Sequence, residues 1–281
     1  MKILVTGSEG YIGSPLCKTL ANSGYEVEKF DKVLGDDITD IVKLDAASRD
    51  VDLIVHMASI VGYPKCDANP KLAEKVNIGG TVNVVSCSKR VIFTSALSNY
   101  SGAKEVDEDT VVVPKSLYAG TKLEAEHRVL TVRDRKSVVP SFSNVVLRFG
   151  SLCGISDNMR DDLLVNNMCK DAVENGKLSI YQPEFVRPLT HIKDAVGAIM
   201  FFMCSSQELH GVYNVVSWNL TKEEIAKVVS EESGCSVEYV RGEDKENRSY
   251  VASTRKIRSL GFEFDPDFRG CIREMVGMYR C

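Results

Sequence analysis

The chain is 281 residues long, 44% hydrophobic and 26% charged, with a formal net charge of −4. That length can bury a substantial core as one large or two small domains, and the composition is ordinary for a globular protein. The acidic balance argues against a general nucleic-acid surface, which carries basic clusters. The nine cysteines are scattered, with no C-x-x-C pair and no cysteine–histidine cluster at zinc spacing, so reduced thiols and no metal are expected. No apolar run approaches the roughly 18 residues of a membrane span. The chain opens directly on strand-like Met1–Val5, leaving no room for a secretory signal, and the expectation is a cytoplasmic protein without membrane contact.

In chain order, Ile3–Val5, Glu26–Phe30, Leu53–His56, Val91–Thr94 and Val145–Leu147 are predicted strands. Ile12, Leu16, Leu20 and Ala21 form a helical stripe after the first strand, and Val76, Val82, Val84 and Val85 mark another helical region. Strand–helix alternation predicts an α/β fold, a Rossmann-type doubly wound parallel sheet over residues 1–150. Residues 151–281 are less regular and are expected to form a smaller, C-terminal substrate-binding lobe, partly interleaved with the first domain. Asp161–Glu174, Ile192–Cys204 and Thr221–Glu232 read as helices there, the last opened by a Thr221/Glu224 capping box. The remaining C-terminal stretch is rich in charge and turns.

Gly7, Gly10 and Gly13 follow the first strand at three-residue spacing and open the first helix. Glycine lets the backbone turn tightly and approach a pyrophosphate, and a helix N-terminus favours negative charge. Asp31 ends the next strand, where a carboxylate accepts hydrogen bonds from ribose hydroxyls and repels a 2′-phosphate. NAD is therefore the expected cofactor, with Lys32 pulling slightly towards a phosphorylated ribose.

The G-x-x-G-x-x-G spacing resembles that of the extended short-chain dehydrogenase/reductases, the NAD-dependent nucleotide-sugar epimerases and dehydratases. Asp37-Ile38, His56-Met57-Ala58-Ser59 and Asn77 match further segments of that family, and the resemblance runs nearly end to end. It implies cofactor contacts at Gly7, Gly10, Tyr11, Ile12, Gly13, Asp31, Lys32, Asp37, Ile38, Met57, Ala58, Ser59, Asn77, Ser95, Tyr118 and Lys122. It also implies a nucleotide-diphosphate sugar as substrate. A homodimer is implied too, since the helix bearing Tyr118 commonly forms a dimer bundle in the family.

Tyr118 and Lys122 stand four apart, on one helix face. The lysine charge favours phenolate, and a tyrosine so placed can take a proton from a sugar hydroxyl as hydride leaves the same carbon. The family's third member, a Ser or Thr four residues before a tyrosine, falls on Ala96 in Phe93–Gly102, counting back from Tyr100. Strand alternation turns Ser95 to the other face. Three readings stand open: slowed chemistry, substitution by Ser98, or binding without turnover. Loss of one oriented donor costs about 3 kcal/mol of transition-state stabilisation, which favours slowed chemistry over none. The family's 4,6-dehydratases carry Asp-Glu directly after the hydroxyl residue. Leu97-Ser98 stands here instead, which leaves oxidation at a ring hydroxyl or epimerisation.

On the substrate side, Arg187 lies in a segment resembling the family's R-x-x-x-H-V-x-D, whose arginine reaches the diphosphate; a planar fork of donors suits that task. Asn158–Asn166 resembles the R-M-R-x-D-L-x-V-N segment of one branch, and Ile60–Cys66 fits the pattern of the branch that includes GDP-heptose 4-oxidising enzymes. The resemblance implies substrate contacts at Ser151, Arg160, Asn166, Arg187 and Arg248. His191 is read as a packing residue and Cys66 as a packed thiol, with an acid role for Cys66 the less favoured alternative. A cofactor-binding protein that keeps the fold without chemistry is the rival class.

Overall fold

The structure is a computed structural model, and it describes residues 1–88, 90–100, 104–131, 144–242, 248–265 and 267–280. Six strands make the main sheet: β1 (Lys2–Thr6), β2 (Glu26–Phe30), β3 (Leu53–His56), β4 (Val91–Ala96), β5 (Val145–Phe149) and β6 (Gly211–Val215), in the order β6-β5-β4-β3-β1-β2. β1 pairs in parallel with both β2 and β3, and β3 in parallel with β4. Both faces of the central strands are buried: Leu53–His56 and Val145–Phe149 have no exposed residue. Such buried, largely apolar runs suit a parallel sheet covered on both sides.

The chain divides into two units. The first comprises Met1–Asn99, Pro114–Arg148 and Val196–Tyr213, so the Rossmann-type unit draws residues from well past position 150. Its core packs Leu4, Phe30, Ile54, Phe93 and Val146 of the sheet against Leu44, Val84, Ala125 and Val129 of the helices. The first helix spans Gly13–Asn22 and buries Gly13, Leu16, Cys17 and Leu20; Ala21, expected in the stripe, is exposed and Cys17 takes its place.

The second unit comprises Tyr100–Val113, Phe149–Ala195 and Asn214–Cys281. A three-stranded sheet orders Trp218–Thr221, Val186–His191 and Ser151–Cys153, beside a two-stranded parallel pair of Lys177–Ile180 with Ser236–Tyr239. Helices Leu164–Asn175, Lys222–Ser233 and Phe268–Arg280 surround one core that includes Cys169, Ile225, Val229, Ile272 and Met275. The Leu164 helix starts three residues later than expected, because Asp161 and Asp162 bind side chains of Lys170, Tyr279 and Arg160 instead of entering a first turn. Thr221 and Glu224 form the expected reciprocal capping box. No described helix is long and apolar enough to cross a membrane.

Candidate active site

The glycine-rich turn is built by steric necessity at two positions. Gly7 has φ +75°, and a Cβ there would lie 2.8 Å from the Ala58 nitrogen. A Cβ on Gly13 would lie 2.0 Å from the Gly7 carbonyl oxygen and 2.8 Å from Ser8 backbone atoms. The helix starting at Gly13 has no side-chain cap at Ile12 and no acid in its first turn. Its leading amides are therefore presented without a competing carboxylate, which suits an anionic group. Asp31 is committed on both oxygens: Oδ2 accepts from the Glu9 amide at 3.0 Å and Oδ1 from the Val33 amide at 3.0 Å. It thus ties the end of β2 to the glycine-rich turn. Lys32 lies 3.7 Å from Asp37, an exposed ion pair worth little in energy. The Thr39 amide, donating to Asp37, holds that carboxyl below the usual range. Ile38 is buried against Gly80, where any Cβ would strike its side chain at 2.4 Å.

After β3 the chain is shaped by a polar relay. The Thr81 hydroxyl donates to the Asn77 carbonyl at 2.6 Å, so its 2.9 Å contact with His56 Nε2 needs the ring to donate. His56 Nδ1 is then the acceptor for the Thr6 hydroxyl at 2.7 Å. Thr6 Oγ1 in turn accepts from the Met57 and Ala58 amides at 3.2 and 3.3 Å. Burial pushes the His56 imidazole down to about 3, with the Lys122 charge adding to the shift, so the ring is neutral. Asn77, in a π-helical turn over Lys75–Gly80, accepts from the Ile60 amide at 2.7 Å and donates to the Ile60 carbonyl at 3.0 Å. Its Nδ2 also reaches Thr121 Oγ1 at 3.0 Å. Cys66 is fully buried with its thiol towards the Ile60 carbonyl at 3.5 Å, and burial raises its pKa.

Tyr118 and Lys122 lie on helix Leu117–Thr131. Tyr118 is half-buried, whereas Lys122 is 2% exposed with Nζ 4.1 Å from the centre of the Phe93 ring. Desolvation brings the Lys122 ammonium down to about 7, against the opposing pull of Glu126. The Phe93 face recovers part of the lost hydration.

Ala96 ends β4 and is followed by a 3-10 turn over Leu97–Asn99. Ser98 Oγ is buried and has no hydrogen-bond partner among the described residues. Ser95, expected among the cofactor contacts, directs its side chain into a buried network. Its hydroxyl, 5% exposed, donates to Glu126 at 2.5 Å, because strand alternation turns it away from the Ala96 face. Glu126, Asn99 and Arg148 complete that buried network and were not foreseen. The signal was present: Glu126 repeats the four-residue step of Tyr118 and Lys122, and Arg148 interrupts an apolar buried strand that must supply it a partner. Ser101 and Gly102, from the same segment, lie outside the described residues.

In the second unit, Arg187 is 8% exposed and its Nη2 donates to Ser151 Oγ at 3.3 Å, so those two predicted residues meet. Next to Arg187, the Val186 amide donates to Ser249 Oγ at 3.1 Å and the Tyr250 amide to the Val186 carbonyl at 3.4 Å. The neighbours of Arg187 and Arg248 are thereby joined; Glu246 and Asn247 lie outside the described residues. Arg160 forks onto Asp162 at 3.0 and 2.5 Å. Asn166 is fully buried, accepting from the Gly154 amide at 3.3 Å and donating to the Arg160 carbonyl at 3.1 Å. An amide so committed shapes the Gly154–Arg160 turn. His191 is 3% exposed and packs on Trp218, ring centres 5.8 Å apart.

The chain is similar to several known proteins. The protein MoeE5, solved in complex with UDP-glucose and NAD, is 25% identical and superposes with a TM-score of 0.86, covering 100% of this chain and 99% of that one. UDP-glucose 4-epimerase of Lactobacillus helveticus is 23% identical over 92% of this chain and 91% of its own length. A 3 beta-hydroxysteroid dehydrogenase/Delta 5-->4-isomerase of Mycobacterium tuberculosis is 31% identical over 46% of this chain and 42% of its own. The match spans only about half the length, 42% to 54%, of the first curated relatives. The sequence profile of the NAD dependent epimerase/dehydratase family matches residues 3–215, and the chain belongs to that family.

Proposed function

We propose that the protein is an NAD-dependent oxidoreductase or epimerase acting at a ring hydroxyl, C4, of a nucleotide-diphosphate sugar. The observation that carries this reading is the Tyr118–Lys122 pair on one helix face, with Lys122 buried against Phe93 and the helix latched through Thr121 to Asn77. The Gly7–Gly13 turn, which any Cβ would fill, fits a pyrophosphate, and the Asp31 carboxylate tied to that turn supports its reading as the ribose acceptor. When bound there, NAD supplies the hydride acceptor.

Tyr118 takes the proton of the sugar hydroxyl, and the Lys122 charge lowers the cost of the phenolate this requires. Ala96 offers no hydroxyl to the reacting oxygen, and Ser98 Oγ, two residues on, is a buried hydroxyl with no partner among the described residues. Ser98 takes that task, leaving turnover below that of a site with Ser or Thr at position 96. Arg187, with Ser151 at its guanidinium, binds the diphosphate. Leu97-Ser98 supplies no carboxylate for eliminating water. MoeE5, solved with UDP-glucose, and the UDP-glucose 4-epimerase of Lactobacillus helveticus make UDP-hexoses the first substrates to try.

The test is incubation of the protein with NAD and a panel of UDP-, GDP- and dTDP-sugars, with separation of products. The expected result is slow oxidation or epimerisation of at least one sugar, abolished in Tyr118→Phe while NAD binding persists, and raised roughly 100-fold in Ala96→Thr. The second reading, a cofactor-binding protein without chemistry, is favoured by Ala96 alone. Absence of turnover even in Ala96→Thr selects it.

A further inference from the structure

Tyr118, Lys122 and Glu126 repeat at intervals of four along one helix, and Glu126 is 2% exposed. Its Oε1 accepts from Ser95 Oγ at 2.5 Å, Asn99 Nδ2 at 2.8 Å and Arg148 Nε at 3.0 Å, and its Oε2 accepts from Arg148 Nη2 at 2.6 Å. Arg148, itself 4% exposed, balances the charge. A buried carboxylate survives only when paired and fully hydrogen-bonded, and the fork from Arg148 already meets the charge requirement. The bonds to Ser95 and Asn99 are additional, and they fall on the two residues that flank Ala96-Leu97-Ser98. The segment where the family's hydroxyl residue belongs is therefore gripped at both ends by the helix that carries Tyr118.

We infer that Glu126 is a positioning residue: by holding Ser95 and Asn99 it fixes the Ala96–Ser98 segment, and with it the Ser98 hydroxyl, in register with Tyr118. The inference rests on the reading of Tyr118 as the reaction centre. It is tested without touching the Glu126–Arg148 pair. Ser95→Ala and Asn99→Ala each remove one neutral donor and leave no charge unpaired, so both variants fold.

Two measurements are made on the full chain: hydrogen–deuterium exchange of the 96–99 amides, and steady-state kinetics with UDP-glucose and NAD. The expected result is faster exchange at 96–99 in both variants. In Ser95→Ala, kcat falls about tenfold with little change in KM, since misplacement costs the transition state more than the ground state. Ser95→Thr, which keeps the hydroxyl, restores both. Unchanged exchange in both variants overturns the inference, as does faster exchange with kcat intact. If exchange quickens but the parent chain never turns over, the clamp stands and the assigned chemistry is what fails.

Discussion

Asn77 and Ile60 are joined twice, amide to side-chain oxygen at 2.7 Å and side-chain nitrogen to carbonyl at 3.0 Å, so one asparagine replaces a missing strand partner. The same nitrogen holds Thr121, whose hydroxyl donates to the Tyr118 carbonyl at 2.9 Å. The loop after β3 and the Tyr118 helix therefore share one side chain. Asn77→Asp keeps the shape but removes both donors and faces a carboxylate towards the Ile60 carbonyl. It should cost about 2–3 kcal/mol in a denaturant titration and lower turnover with it. An unchanged midpoint would show that Asn77 does not carry this junction.

The glycine turn makes a sharper steric prediction. Gly13→Ala places a Cβ 2.0 Å from a backbone oxygen, an atom that cannot swing aside, so the first helix must shift. Overpacking of this kind costs about 1–3 kcal/mol, and NAD affinity should fall at least tenfold in calorimetry because the turn is displaced. Gly277→Ala is the control: beyond its own helix backbone, a Cβ there would meet no described heavy atom within 4 Å, and in a helix interior alanine should add about 1 kcal/mol.

Much of this was legible in the sequence where local physics decides. Ile3–Val5 and Leu53–Val55 are bounded apolar runs, Ile192–Cys204 is helical at the expected residues, and the Thr221 cap carries its own signature. Helix Phe268–Arg280 was hidden although Phe268, Cys271, Ile272, Met275 and Val276 follow helical spacing, because Gly270, Gly277 and the intervening charges read as turn. Glu126 illustrates a deeper limit. A single acid on an amphipathic helix reads as a solvated face until tertiary structure brings Ser95, Asn99 and Arg148 to it.

His56 should stay neutral through physiological pH. A second ring proton on Nδ1 would point at Thr6 Oγ1, which already accepts from two amides, and burial has lowered the value from 6.5 to about 3. The unfolded chain binds this proton below about 6.5 and the fold only near 3, so stability declines as pH falls through that window. The ring resonances of His56 should be constant from about pH 7.5 to about pH 4 by NMR. Titration near its ordinary value would refute the assigned tautomer and its hydrogen bonds.

Lys122 gives a prediction in which stability and activity move in opposite directions. Its buried ammonium is protonated in the fold only below about 7, whereas the unfolded chain is protonated up to 10.5. Between those values the unfolded state binds more protons, so stability rises with pH across the window, and the cost of the buried charge is complete below about 7. Lys122→Met keeps the aliphatic stem against Phe93 and removes the ionisable end. The cofactor-free variant should melt roughly 3–6 °C higher than the parent near pH 6, with the difference shrinking towards pH 10. Turnover should be lost in the same variant, since the charge that favours the Tyr118 phenolate goes with the ammonium. A variant that is neither more stable near pH 6 nor inactive would show that the lysine is not buried at a cost for the sake of the reaction.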